Sequence, residues 1–169
     1  MTATATLILT QKQTLQKIKR IAYEVYENNF QEEEIILAGI FDKGYLFAQL
    51  LQQELNAISP LKSTLVKVSL DKLAPLQSDI HLDCDTSVLR NKVVILLDDV
   101  LNTGRTLVYS LKPFLNIEIK KIRTAVIVYR NHKQFPISAD YVGYALSTTI
   151  QEHIEVILEG NERFGVYLS

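Results

Sequence analysis

The stretch VILLDDVLNTGRT, residues 94–106, decides how the rest of the chain is read. With Val93 before it, its first half is a continuous apolar run, as in a strand covered on both faces. The run ends on two carboxylates, Asp98 and Asp99. Asn102, Thr103 and Gly104 then form a turn, after which Leu107, Leu111, Phe114 and Leu115 return at helical spacing. Gly104 permits positive φ and close backbone approach. Successive amides around such a turn make an anion nest, the following helix start adds positive potential, and Thr103 and Thr106 add hydroxyls. The neighbouring carboxylates cannot take a phosphate. They can accept hydrogen bonds from hydroxyls or hold Mg²⁺. Phosphate donors beside hydroxyl acceptors suit a sugar phosphate. An isolated Asp-Asp pair would serve equally well as a solvated turn and helix cap. Neither GxxxxGK[ST] nor GxGxxG occurs, so the two familiar nucleotide loops do not compete.

Outward from this stretch, strand and helix signals alternate. Leu15, Ile18, Ala22, Val25 and Tyr26 predict a helix over 12–29. Residues 35–40, IILAGI, read as a second buried strand, followed by a turn over 41–44 and a helix over 45–56. Val66, Val68 and Leu70 alternate in a strand over 65–70, and 71–87 read as a polar loop or loose hairpin. Further strands are predicted over 122–129, 140–144, 154–158 and 166–168. This alternation predicts an α/β architecture, a central mostly parallel sheet flanked by helices. Ligands bind such sheets at the carboxyl ends of the strands, where both polar turns, 42–44 and 98–104, would fall.

Composition narrows the classes. The 169 residues fit one domain over 1–169. A balance of 18 Lys+Arg against 19 Asp+Glu gives no global attraction for polyanions. The single cysteine, Cys84, excludes an intramolecular disulfide and a multi-cysteine metal site. No apolar run approaches the roughly 20 residues of a membrane span, and the first residues lack the basic region of a secretory leader. A cytoplasmic protein with no membrane association is expected.

VILLDDVLNTGRT resembles the motif by which type I phosphoribosyltransferases bind PRPP, 5-phosphoribosyl-1-pyrophosphate. The resemblance runs collinearly over residues 15–169, through RIAYEVYENN, IILAGIFDKGYLFAQLL, FPISADYVGYAL and IEVILEGNERFGVYL. It is with the pyrimidine-operon attenuator/uracil phosphoribosyltransferase family, the PyrR-like proteins. It implies the type I phosphoribosyltransferase fold with a small C-terminal hood, and transfer of ribose 5-phosphate to a nucleobase, uracil in the first instance. Mg²⁺ would accompany PRPP. Asp98 and Asp99 would act on the ribose hydroxyls as the catalytic pair and touch the metal. The PRPP contact would run through Asp98, Asp99, Val100, Leu101, Asn102, Thr103, Gly104, Arg105 and Thr106. Asp42, Lys43 and Gly44 would form the pyrophosphate loop, and a lid over 71–83 would contribute Lys72. A hood over 131–150 would read the base through His132, Asp140, Tyr141 and Val142. Relatives of this kind form homodimers or larger homo-oligomers.

The chain departs from the family pattern at several of these places. Lys43 replaces an arginine and loses its bidentate fork. The lid is short, with Lys72 its only cation. Tyr129 and Asn131 stand where Asp and Gly are usual, while His132 is kept. Asn102 replaces the Asp of purine-specific members and cannot act as a base near neutral pH, which favours a pyrimidine. A short lid excludes water poorly from an oxocarbenium-like transition state. A PRPP- or nucleotide-binding relative with weak or no transfer is therefore one alternative. An RNA-binding regulator is the other. Lys12, Lys17, Lys19 and Arg20, with Lys120, Lys121 and Arg123, are its candidate basic groups, although Tyr23 and Asn28 stand where the family often has His and Arg.

Overall fold

Thr10 sets the first helix in place. Its hydroxyl accepts from the Gln13 amide at 3.2 Å while the Gln13 side chain accepts from the Thr10 amide at 2.9 Å, a reciprocal capping box. The computed structural model describes residues 4–76 and 79–169. Helix α1 (Gln11–Asn29) buries Ile18, Ile21, Ala22 and Val25, the face expected from their spacing. Strand β1 (Thr6–Leu9) precedes it. Then come β2 (Glu34–Ile40), α2 (Lys43–Ile58), β3 (Lys62–Ser69), β4 (His81–Leu82), β5 (Val93–Leu101), α3 (Arg105–Ser110), β6 (Lys121–Tyr129), β7 (Tyr141–Ala145), β8 (Ile154–Ile157) and β9 (Gly165–Leu168).

Six strands form the main sheet in the order β4-β3-β2-β5-β6-β7. The pairs β2–β3, β2–β5, β5–β6 and β6–β7 are parallel, and only β4 runs antiparallel. The expected mostly parallel sheet is what the chain forms. Alternation sorts its side chains into two layers. Ile35, Leu37, Val93, Ile95 and Leu97 pack with α1 and α2, whereas Ile36, Ala38, Ile40, Val94 and Leu96 pack with Leu107 and Phe114 on the opposite face. All are fully buried, or within 1% of it, and each large aliphatic contributes about 1.5–3 kcal/mol. This double coverage explains the unbroken apolar runs of β2 and β5.

Beside the main sheet, β1, β9 and β8 form a separate three-stranded antiparallel sheet built from the two chain ends, whereas the expected hood over 131–150 contributes β7 to the main sheet. Tyr141 and Val142 lie in β7, the edge strand beside β6, with Tyr141 5% exposed. The Asp140 carboxylate accepts from the Thr124 amide at 2.9 Å and thereby fixes that edge. The strand expected over 140–144 forms as β7, and its pairing with β6, set by tertiary contact, places it in the main sheet. The lid region also returns to the sheet: β4 pairs with the end of β3, Val68 opposite Leu82 and Ser69 opposite His81. Residues 77 and 78 of the expected lid lie outside the described residues. Among the described residues, no helix is long and apolar enough to cross a membrane.

Candidate functional site

Strand β5 does not stop at Leu97. Pairing with β6 continues through Asp98 opposite Val126 and Val100 opposite Val128 to Leu101 opposite Tyr129, which carries both carboxylates on the strand rather than in a turn. Asp98 is 2% exposed. Its Oδ1 accepts from the Asp99 amide at 3.0 Å and from Lys72 Nζ at 3.2 Å. Burial, reinforced by the Asp99 charge, holds the Asp98 carboxyl well above the usual carboxylate range. The Lys72 ammonium is opposed by its own burial, yet Asp98, Asp99 and Asp42 outweigh this and raise its pKa. Lys72 therefore stays charged over the acids.

The turn after β5 has the form its glycine predicts. Gly104 has φ +87°, and a Cβ there would lie 2.7 Å from Ile137 Cγ2. The Thr103 carbonyl accepts from the Gln134 amide at 2.8 Å and the Phe135 amide at 3.1 Å, which ties the turn to the segment after β6. Thr103 Oγ1 accepts from the Arg105 amide at 3.2 Å. Asp98, Val100, Leu101, Asn102, Thr103, Gly104, Arg105, Thr106 and Leu107 line a recess of ≈ 140 Å³ over this turn. A second cavity of ≈ 280 Å³ shares Asp98, Val100, Asn102 and Thr106 with it, and adds Lys43, Lys72, Asp99, Arg130, His153 and Ile154. The two are adjoining compartments with a common wall.

Lys43 and Gly44 belong to the first turn of α2 and not to the preceding loop, while Asp42 is the cap residue and makes no side-chain capping bond. A Cβ on Gly44 would lie 2.4 Å from the Leu97 carbonyl oxygen, so the absence of a side chain is what lets this helix start approach β5. The Phe41–Asp42 peptide is cis. The approach brings Lys43 to the same cavity as Asp98 and Asp99.

Of the expected base-reading group, none lines either cavity. His132 Nε2 lies 2.9 Å from the Thr148 carbonyl oxygen and stabilises the segment before β8. Asp140, Tyr141 and Val142 belong to the far edge of the sheet, as described above. Cys84 packs on the layer that holds Leu89, and burial, with Asp83 and Asp85, pushes its thiol up. Three residues that sequence reasoning did not single out line the larger cavity: Arg130, His153 and Ile154. Arg130 is 6% exposed and donates to the carbonyls of Thr149 at 2.6 Å and Glu152 at 2.5 Å, with further contacts to Thr148 and Asn102. A lone arginine at the end of a β-rich run carries no sequence signal, although its position directly after a buried strand pointing at the site edge was available.

Among the described residues, no group of three or more His, Cys, Asp and Glu could hold a metal ion. Asp98 and Asp99 are hard oxygen donors of the kind Mg²⁺ takes, and they fit an ion whose remaining ligands come from a phosphorylated substrate.

The model of the family "Phosphoribosyl transferase domain" matches residues 4–159. A protein of Streptococcus thermophilus described as "Bifunctional protein PyrR" is 37% identical over 146 residues, 83% of this chain and 83% of its own length. Its namesake in Streptococcus pyogenes is 33% identical over 157 residues, covering 88% and 89%. Among solved structures, the hypoxanthine phosphoribosyltransferase of Trypanosoma cruzi superposes with TM-score 0.78 at 14% identity, over 96% of this chain and 94% of that one. A hypoxanthine-guanine phosphoribosyltransferase of Bacillus anthracis gives 0.73 at 19% identity, over 96% and 95%. At these identities the two structures speak for the fold alone, whereas the family match and the PyrR relatives reach further: this chain belongs to the phosphoribosyl transferase domain family and, within it, to the PyrR-like type I phosphoribosyltransferases.

Proposed function

We propose that this protein binds PRPP and the uridine monophosphate derived from it, and that it works as a nucleotide-responsive PyrR-like protein in which transfer to uracil is a slow reaction. The observation that carries this reading is the shared wall of the two cavities. Asp98, Asn102 and Thr106 face both the recess over the 103–106 turn and the larger cavity holding Asp99, Lys43 and Arg130. A 5′-phosphate in the recess would meet backbone amides and the Thr103 and Thr106 hydroxyls. The ribose hydroxyls would then meet Asp98 and Asp99, and the pyrophosphate would meet Lys43.

In transfer, the bond from ribose C1 to pyrophosphate breaks and a bond from C1 to uracil N1 forms, with N1 giving up its proton. No covalent enzyme intermediate is needed, so rate would depend on positioning and on stabilising the leaving pyrophosphate. When bound, Mg²⁺ supplies charge neutralisation on the pyrophosphate and ribose oxygens. Two features argue for slow turnover. Lys72, the lid's only cation, is held on Asp98. The described lid residues Leu73 and Leu76 are 91% and 76% exposed and cover nothing.

The RNA-binding alternative draws on the PyrR relatives. Against it, Arg20, Lys120 and Arg123 already face Glu24, Glu32 and Asp140. Calorimetric titration with PRPP and UMP, followed by a nucleobase panel assayed for PRPP-dependent pyrophosphate release, tests the proposal. Binding of both ligands with slow, uracil-restricted release is expected. Rapid turnover would restore the salvage enzyme, and failure to bind either ligand would remove the site. A gel shift against pyrimidine leader RNA at fixed salt decides the RNA reading, where sequence-blind binding counts against it.

A further inference from the structure

The guanidinium of Arg130 is well served on one side and poorly served on the other. Its five N–H groups have no acceptor among them. Nε donates to Thr148 Oγ1, and Nη2 donates to the carbonyls of Thr149 and Glu152. Nη1 has a single long contact, 3.5 Å to Asn102 Oδ1. Among the described residues, the ion pairs formed include none to Arg130. A charge 6% exposed, with no carboxylate in ion-pair contact and only the more distant Glu152 charge acting on it, is costly unless something else faces it. The side left unserved is the side toward Asn102, and both residues line the larger cavity with Asp98 and Asp99.

This contact also orients Asn102. A guanidinium can only face the amide oxygen, so the amide NH₂ is the end left for a ligand. Asn102 is itself exposed and forms part of the wall common to both compartments. We propose that Arg130 Nη1 and Asn102 Nδ2 act as a donor pair that selects a base bearing an exocyclic oxygen and rejects one bearing an amino group in its place. An oxygen would satisfy both donors. An amino group would set N–H against N–H and leave the buried charge unmet, a mismatch that discriminates more strongly than shape does. The chemistry favours uracil over cytosine, and hydroxyl- or oxo-bases over amino-bases generally. The inference rests on the proposal that this cavity takes a nucleoside monophosphate.

The test is isothermal titration of the full chain with ribose 5-phosphate, UMP and CMP. The UMP-to-CMP affinity ratio is then repeated in Asn102→Asp and Arg130→Lys. The ratio cancels whatever each substitution does to the shared ribose phosphate. The wild type should favour UMP by about tenfold or more. Asn102→Asp, at an exposed position, removes the donor and should bring the ratio to about one or below, and Arg130→Lys, which loses the planar fork, should lower it as well. Ribose 5-phosphate binding with no preference for UMP over CMP in the wild type overturns the inference while leaving the sugar-phosphate site standing. So does a ratio that Asn102→Asp leaves unchanged. If neither ribose 5-phosphate nor UMP binds the wild type, the underlying reading fails and the inference with it.

Discussion

Lys72 Nζ lies 3.2 Å from Asp98 Oδ1, with the carboxylate side chain 3% exposed and the lysine side chain 39% exposed. A loop cation thus sits on the most buried acid of the site, at the place where the proposed function puts a substrate's hydroxyls and its metal. The pair is half open to water, so its strength falls between surface and interior cases. A double-mutant cycle with Lys72→Met and Asp98→Asn should return a coupling of about 1 kcal/mol, reduced at high salt. A coupling indistinguishable from zero would mean the lysine does not hold the lid.

The Asp98 carboxyl is raised by burial and by Asp99, so ionising it opposes folding. For such a group, stability is fully present below the unfolded carboxylate range, about pH 4, and is lost as pH rises through the higher folded value. Asp98→Asn should therefore raise the melting temperature at neutral pH, by about 2–4 °C for each kcal/mol recovered, with the gain vanishing below about pH 4. Loss of the Lys72 contact offsets part of this gain, by about the 1 kcal/mol of that pair. The same variant should lose PRPP binding. Thermal melts from pH 3 to 8, paired with PRPP titration, check both halves.

Gly44→Ala should be among the most damaging small substitutions in the chain. The added methyl meets a backbone carbonyl 2.4 Å away, which cannot step aside as a side chain could. Prising α2 from β5 should cost about 1–3 kcal/mol and displace Lys43 from the cavity. Chemical denaturation and PRPP titration should show both losses together.

Gly104→Ala acts differently. Its penalty is the left-handed backbone at φ +87°, of order 1–2 kcal/mol, together with the contact to Ile137. Ile137→Ala should relieve only the second part. A double variant that remains clearly less stable than Ile137→Ala alone, with ribose 5-phosphate binding still impaired, is the expected outcome.

Chelation of divalent metal should weaken PRPP binding strongly and UMP binding little. Two adjacent carboxylates cannot hold Mg²⁺ tightly by themselves, so the pyrophosphate must supply ligands. Titrations with EDTA and with restored Mg²⁺ measure the difference; equal loss for both ligands would point to an ion held by the protein.

The unbroken apolar runs at 35–40 and 93–97 already required a sheet covered on both faces, and the turn with Gly104 already required an anion-friendly loop beside two acids. Those features depend on local periodicity and on backbone chemistry, which a sequence carries directly. The single cysteine likewise excluded an intramolecular disulfide and a multi-cysteine metal site. Other assignments needed the folded chain. The family resemblance implied a base-facing place for Asp140 and Tyr141, whereas parallel pairing with β6 puts Tyr141 in the edge strand and Asp140 against Thr124. The small second sheet needs β1 to pair with β9, about 160 residues away at the other end of the chain. Arg130 enters the site only because three segments converge on it, and Lys72 meets Asp98 only because the chain returns over the strand ends. Sequence determined which backbone could form and which chemistry it would offer. Long-range packing decided which side chains share a cavity, because burying two covered faces at once fixes the order of the strands, and the order of the strands fixes their neighbours.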